Sequence, residues 1–198
     1  MEKKDAKRDQ KKDWRLLLLA DTHVGDRIKA LEPKLLEAMK AEQPEMILHA
    51  GDIAVPSVVT ELEKIAPVVA VQGNRDWFKR YKLPMEAQFE FNGLKVVLAH
   101  GHISMWHWFW NYVRLFLTFR IHDNAFFQRQ LARLYPEADL IIYGHLHFQY
   151  DEVTEGIRFL NPGSGYPHWR NKGRPQYMML TIKEDGELVV QRREVLLD

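Results

Sequence analysis

Five short apolar runs along the chain each stop at a polar cluster. Residues 14–20 (WRLLLLA) are followed by Asp21-Thr22-His23, and residues 45–50 (EMILHA) by Gly51-Asp52. Residues 66–72 (APVVAVQ) lead into Gly73-Asn74-Arg75-Asp76, residues 94–99 (LKVVLA) into His100-Gly101-His102, and residues 138–143 (ADLIIY) into Gly144-His145-Leu146-His147. Short, nearly continuous apolar runs are the signature of strands buried on both faces. Helical patterns lie between the first of them. Residues 28–43 carry Leu35, Leu36 and Met39 at helical spacing, and residues 56–66 open on Pro56 with Val59, Leu62 and Ile65 along one side. Residues 124–138 read as an amphipathic helix stopped at Pro136.

Alternating strand and helix implies parallel crossovers, and parallel strands place their carboxyl ends on one edge, where ligands bind. The five polar clusters are therefore expected to converge. Were strand geometry to persist past Tyr143, His145 and His147 would project to the same side. The tail differs: residues 153–169 and 175–197 read as hairpins turning at Gly156 and Asp185-Gly186, adding an antiparallel part to the sheet system.

Composition narrows the chemistry. The 198 residues suit a single domain, with 46% apolar and 28% charged residues as in soluble globular proteins. A net charge of +1 gives no global basis for nucleic-acid binding, and none that is specific is expected. With no cysteine, a metal must be held by His, Asp, Asn, Glu or backbone oxygen. No run is long and apolar enough to span a bilayer, and a cytoplasmic protein is expected. Residues 1–13 are charged and read as a solvated tail, with a weak tether to an anionic surface as the alternative.

A turn has no use for repeated histidines, and burying several carboxylates and imidazoles without a cation is costly. Asp21, His23, Asp52, Asn74, His100, His145 and His147 are too many for one open tetrahedral site. They suit two metals that share a carboxylate bridge, about 3.5–4 Å apart, activating water and clamping a phosphoryl group.

The succession DTH, GD, GNRD, HGH and GHLH over residues 16–165 resembles the calcineurin-like metallophosphoesterase superfamily. Its short spacings and the NPGS at 161–164 are most similar to the small YfcE-like phosphodiesterases, with the retromer subunit of the same fold as another relative. The resemblance implies an α/β fold, a four-layer αββα sandwich of two mixed sheets flanked by helices. It implies a first metal on Asp21, His23, Asp52 and His147, and a second on Asp52 as bridge with Asn74, His100 and His145. Mn is the expected cation, with Fe, Zn, Ni or Co as alternatives. A phosphodiester or other phosphate ester is the expected substrate.

Further residues are read individually. His102, one past a ligand, is expected near substrate as proton donor or phosphate contact, against a structural role. His49 is read as core, with a supporting role behind the ligands as the alternative, and His107, His122 and His168 as outer-surface or insert residues. Arg75 stands where many relatives carry a histidine proton donor. Arginine is always protonated and cannot serve as an acid, but it can grip phosphate oxygens; the alternative is an ion pair with Asp76 or another carboxylate. GNRD also resembles the enzyme that hydrolyses UDP-diacylglucosamine at its pyrophosphate, so a lipid-linked pyrophosphate is an alternative substrate. A non-catalytic docking module of the same fold is the other alternative.

Residues 103–121 form an insert with apolar positions nearly all round a helix, interrupted by one polar stripe of His107, Asn111, Arg114 and Thr118. The first expectation for its cover is a second subunit, making a homo-oligomer; an apolar substrate under a cap and peripheral contact with a membrane surface follow.

Overall fold

The structure is a computed structural model that describes residues 11–101 and 124–197, without the side chains of 124–126. The aromatic insert at 103–121 and His102, His107 and His122 lie outside the described residues.

β1 (Trp14–Leu19) explains the architecture. Its four leucines are fully buried, yet they alternate between two cores. Leu16 and Leu18 pack with Val96, Leu98, Leu140 and Ile142, whereas Leu17 and Leu19 pack with Leu35, Met39 and Leu62. Successive side chains of a strand point to opposite faces, so this strand lies between a second sheet and a helical layer. Each buried leucine contributes about 1.5–3 kcal/mol of transfer free energy.

The first sheet follows the order β10-β9-β1-β2-β3. β1 runs parallel to β2 (Met46–His49), and β2 parallel to β3 (Val68–Ala70), with α1 (Pro33–Ala41) and α2 (Ser57–Leu62) as the crossovers. The hairpin of β9 (Gln176–Ile182) and β10 (Leu188–Glu194) joins antiparallel beside β1. The second sheet follows β4-β5-β6-β8-β7. β5 (Leu94–Ala99), β6 (Leu140–Tyr143) and β8 (Ile157–Pro162) are parallel; β4 (Glu86–Phe91) and β7 (Gln149–Thr154) are antiparallel edges. α4 (Asn124–Leu134) covers the outer face, with Leu131 and Ala132 packed among Val97, Ala99, Ile141 and Tyr143. The layers are α, β, β, α.

This arrangement refines the expectation of a single edge. The five strands that end in polar clusters divide three and two between the sheets, and the carboxyl ends of both sheets meet. Both predicted hairpins form, with Gly156 and Gly186 at positive φ in their turns. Three elements were not foreseen: β4, α3 (Asn74–Phe78), which begins inside GNRD, and a single 3-10 turn at Trp169–Asn171. Two residues of the charged lead-in are tied down: Lys12 contacts Glu45 and the Trp14 ring, and Asp13 lies 3.4 Å from the Lys183 amine.

Candidate metal centre

The loops after β1, β2, β3, β5 and β6 deliver the predicted side chains to one place. Asp21, His23, Asp52, Asn74 and His100 are each at most 5% exposed. Two groups have the composition and spacing to hold a cation. One is Asp21, His23 and His147; the other is Asp21, Asp52 and His100. In the first, His147 Nε2 lies 3.2 Å from Asp21 Oδ1 and 3.4 Å from His23 Nε2. In the second, His100 Nε2 lies 3.5 Å from Asp52 Oδ1 and 3.2 Å from Asn74 Oδ1, and His145 Nδ1 is 3.2 Å from the same Asn74 oxygen. The two oxygens of Asp52 divide between the groups: Oδ1 faces His100, and Oδ2 lies 3.6 Å from His23 Nε2.

The backbone is bent to achieve this. Asp21, His23, Asp52, His145 and His147 all have positive φ, between 50° and 72°. Non-glycine residues seldom adopt that region, and each such residue costs on the order of 1–3 kcal/mol. Strand geometry therefore does not persist past Tyr143. A tight turn with Leu146 N–H donating to the Gly144 carbonyl (2.9 Å) sends His145 toward Asn74 and His147 toward Asp21.

Other residues brace the loops. His100 Nδ1 donates to the Ala50 carbonyl at 2.6 Å, which leaves Nε2 facing the carboxylate. Asp76 accepts from the backbone N–H groups of Asp52 (2.9 Å), Gly73 (2.7 Å) and Ala54 (2.6 Å), fastening the β2 and β3 loops together. The N–H of Arg75 donates to Asp52 Oδ1 at 2.8 Å. Gly73 is required by space, since a Cβ there would lie 2.1 Å from Asp52 Oδ1. The NPGS segment closes the far side: Asn161 donates to the Gly144 carbonyl at 2.8 Å, and Ser164 to that of Asp21 at 3.1 Å.

The electrostatics fit a cation site. Burial disfavours charge on His100, yet the adjacent Asp52 carboxylate outweighs it and raises the imidazole to about 10. Burial works against ionised Asp52 too, but His100 and the Arg75 N–H hold its carboxyl far below the usual range. His145, buried beside the His100 charge, is pushed down to about 4. Asp21 Oδ1 is buried without a well-directed hydrogen-bond donor, and ring nitrogens of two histidines converge on it. A proton thus stands where a cation would neutralise the same carboxylates, and binding a cation would displace it.

Residues 14–185 match the calcineurin-like phosphoesterase superfamily domain. The chain belongs to that superfamily. It is 34% identical over 170 residues to a probable metallophosphoesterase of Methanothermobacter thermautotrophicus, covering 86% of each chain. It is 25% identical over 159 residues to a phosphodiesterase of Methanocaldococcus jannaschii, covering 74% of this chain and 81% of that one. Its fold is also similar to that of vacuolar protein sorting 29 from Cryptosporidium parvum, with a TM-score of 0.67 at 19% identity over 92% of this chain and 97% of the other. The chain is thus a phosphoesterase of a hydrolytic family, and the solved neighbour shares its fold.

The remaining sequence expectations divide. His49 is core, as read: its Nδ1 accepts from Gly51 N–H at 3.2 Å and its Nε2 lies 3.2 Å from the Thr22 hydroxyl. His168 is not an outer-surface residue. Its ring lies 5.2 Å from that of His147, because Asn171 accepts the His168 N–H and turns the side chain inward. Arg75 takes the alternative of an ion pair with another carboxylate: its Nε lies 3.6 Å from Asp26, while the Asp76 oxygens are taken by backbone. Sequence reasoning missed Asp26, whose Oδ2 is 3.4 Å from His23 Nδ1, and Tyr166, whose ring packs 5.0 Å from His23. Asp26 sits three residues from a ligand in the same loop, and that spacing was the available signal.

Proposed function

We propose that this phosphoesterase is a dinuclear metal-dependent phosphodiesterase that directs in-line attack on phosphorus. One observation supports this most: Asp52 presents one carboxylate oxygen to each of two side-chain groups, 3.6 Å from His23 and 3.5 Å from His100. In this reading Asp21, His23, Asp52 and His147 hold one divalent cation, and Asp52, Asn74, His100 and His145 the other. When bound, the pair supplies Lewis acidity toward water and the phosphoryl oxygens. The chain's own residues do the rest. Asp52 and Asp21 fix the spacing, the Ala50 carbonyl sets the His100 tautomer, and Arg75, half-buried at the rim, grips a phosphoryl oxygen as substrate enters. Mn is the cation expected from the family, and oxygen and imidazole donors without sulfur also suit Fe, Zn, Ni or Co.

A cytoplasmic location is consistent with this reading, and among the described residues no helix is long and apolar enough to cross a membrane. The docking-module alternative has fold likeness in its favour; the full set of seven donors weighs against it, since docking needs none of them.

The test is hydrolysis of an aryl phosphodiester and the matching monoester by metal-stripped protein with Mn added back. Mn-dependent diester cleavage, lost in Asp52→Ala, is the expected result. Bound metal with neither ester cleaved would move the reading to a lipid-linked pyrophosphate. Protein that binds no metal and cleaves nothing would leave the docking module.

A further inference from the structure

The aromatic side chains exposed among the described residues are three, Trp77 (49%), Phe78 (52%) and Trp169 (72%), and they sit in the segments that carry Asn74 and His168. Trp77 and Phe78 follow Arg75 and Asp76 in α3. Trp169 follows His168, whose ring meets that of His147. The loop at 24–29 lies between the two flanks. Lys79 Nζ donates to the Gly25 carbonyl at 3.2 Å, and Arg27 stands 5.9 Å over the Tyr166 ring.

The same rim is cationic. Residues 24–29 and 75–82 contribute Arg27, Lys29, Arg75, Lys79, Arg80 and Lys82. The two carboxylates in those stretches are already engaged, Asp26 with His23 and Arg75, and Asp76 with backbone N–H groups. Six cations thus stand against two carboxylates in these stretches, beside the exposed aromatic side chains.

We infer that this rim seats the protein on an anionic phospholipid surface, so that the phosphoester it hydrolyses is presented at a bilayer. Exposed Trp and Phe with neighbouring Lys and Arg suit the headgroup layer, where rings enter the interface and cations meet anionic lipids. Single-stranded nucleic acid is the competing polyanion, but it needs free ring faces on which bases can stack. Here Trp77 and Phe78 are set edge to face, with centroids 5.1 Å apart, and the Arg170 guanidinium lies 5.1 Å over the Trp169 ring. In each place one ring face is thus already taken.

The test is co-sedimentation of the full chain with vesicles of mixed phosphatidylcholine and phosphatidylglycerol, and with pure phosphatidylcholine. Binding is expected to the mixed vesicles, weakened by salt. The triple variant Trp77→Ala, Phe78→Ala, Trp169→Ala and the charge variant Lys79→Glu, Arg80→Glu should each weaken it by about tenfold or more. Turnover of a soluble aryl diester by both variants should stay near wild type, since none of these residues is among the candidate ligands. No vesicle binding, binding indifferent to both variants, or binding to a single-stranded oligonucleotide lost in their place would each overturn the inference. Vesicle binding by a wild-type protein that hydrolyses no phosphoester would overturn the hydrolase reading and leave this surface standing.

Discussion

Asp26 Oδ2 lies 3.4 Å from Nδ1 of His23, the ring nitrogen facing away from the metal centre. That nitrogen is otherwise buried without a hydrogen-bond partner. A histidine that gives Nε2 to a cation carries its proton on Nδ1, and a carboxylate accepting that proton fixes the ring and strengthens the ligand. Asp26→Ala should lower metal affinity by about 10–100-fold, measured calorimetrically without substrate. Asp26→Asn, which keeps an acceptor, should recover part of the loss. Unchanged affinity in the alanine variant would reduce Asp26 to a surface residue.

Arg75 approaches the same Asp26 oxygen from the substrate side, at 3.6 Å. Arg75→Ala should leave metal affinity nearly intact and raise KM for a phosphodiester by about tenfold, the loss of a charge-assisted contact worth about 1.5 kcal/mol. Arg75→Lys should recover only part of it, because a point charge cannot match a two-pronged grip. Steady-state kinetics beside a metal titration separates the two residues.

Gly73 is the least replaceable backbone position of the centre. A Cβ there would meet the Asp52 carboxylate at 2.1 Å and the Asp52 nitrogen at 2.3 Å, so even alanine forces the β2 and β3 loops apart. Gly73→Ala should cost about 1–3 kcal/mol in urea unfolding and weaken metal binding with it. Full stability would mean that the loops are slacker than this geometry allows.

His49 makes a prediction about acid. Burial is the main force holding its pKa down, at about 3, against 6.5 for an ordinary histidine. The unfolded chain then binds a proton that the folded protein refuses as pH falls below 6.5. The stability associated with neutral His49 is fully present above pH 6.5 and is lost as pH falls toward 3. At pH 4.5 that loss amounts to about 2–3 kcal/mol. The gap in stability between wild type and His49→Gln should narrow by that amount between pH 7.5 and 4.5. Parallel unfolding curves across that range would show that His49 takes up its proton without penalty.

What the sequence disclosed and what it withheld have physical reasons. The strands at 14–19 and 140–143 announce themselves because burial on both faces demands unbroken apolar runs. The side chains after them were legible because carboxylates and imidazoles have no other reason to recur there. α3 was hidden: five residues give no periodicity, and its start is fixed by Asp76 reaching back to Gly73 and across to Asp52 and Ala54. β4 alternates cleanly, with Ala87, Phe89 and Phe91 toward the inter-sheet core, but its glutamates disguise it as loop. The inward turn of His168 depends on a hydrogen bond to Asn171 and on the packing of a neighbouring ring, neither of which has a pattern along the chain.

The division of strands between two sheets has one more consequence. Asp21, His23, Asp52 and Asn74 hang from the first sheet, and His100, His145 and His147 from the second. Each candidate cation group draws on both. A bound cation would act as a crosslink between the halves of the sandwich, adding its binding free energy to the work of prying them apart. Amide exchange in β5 and β6 should then slow on metal loading even far from the ligands. The supply of metal would set the lifetime of the folded protein as well as its rate.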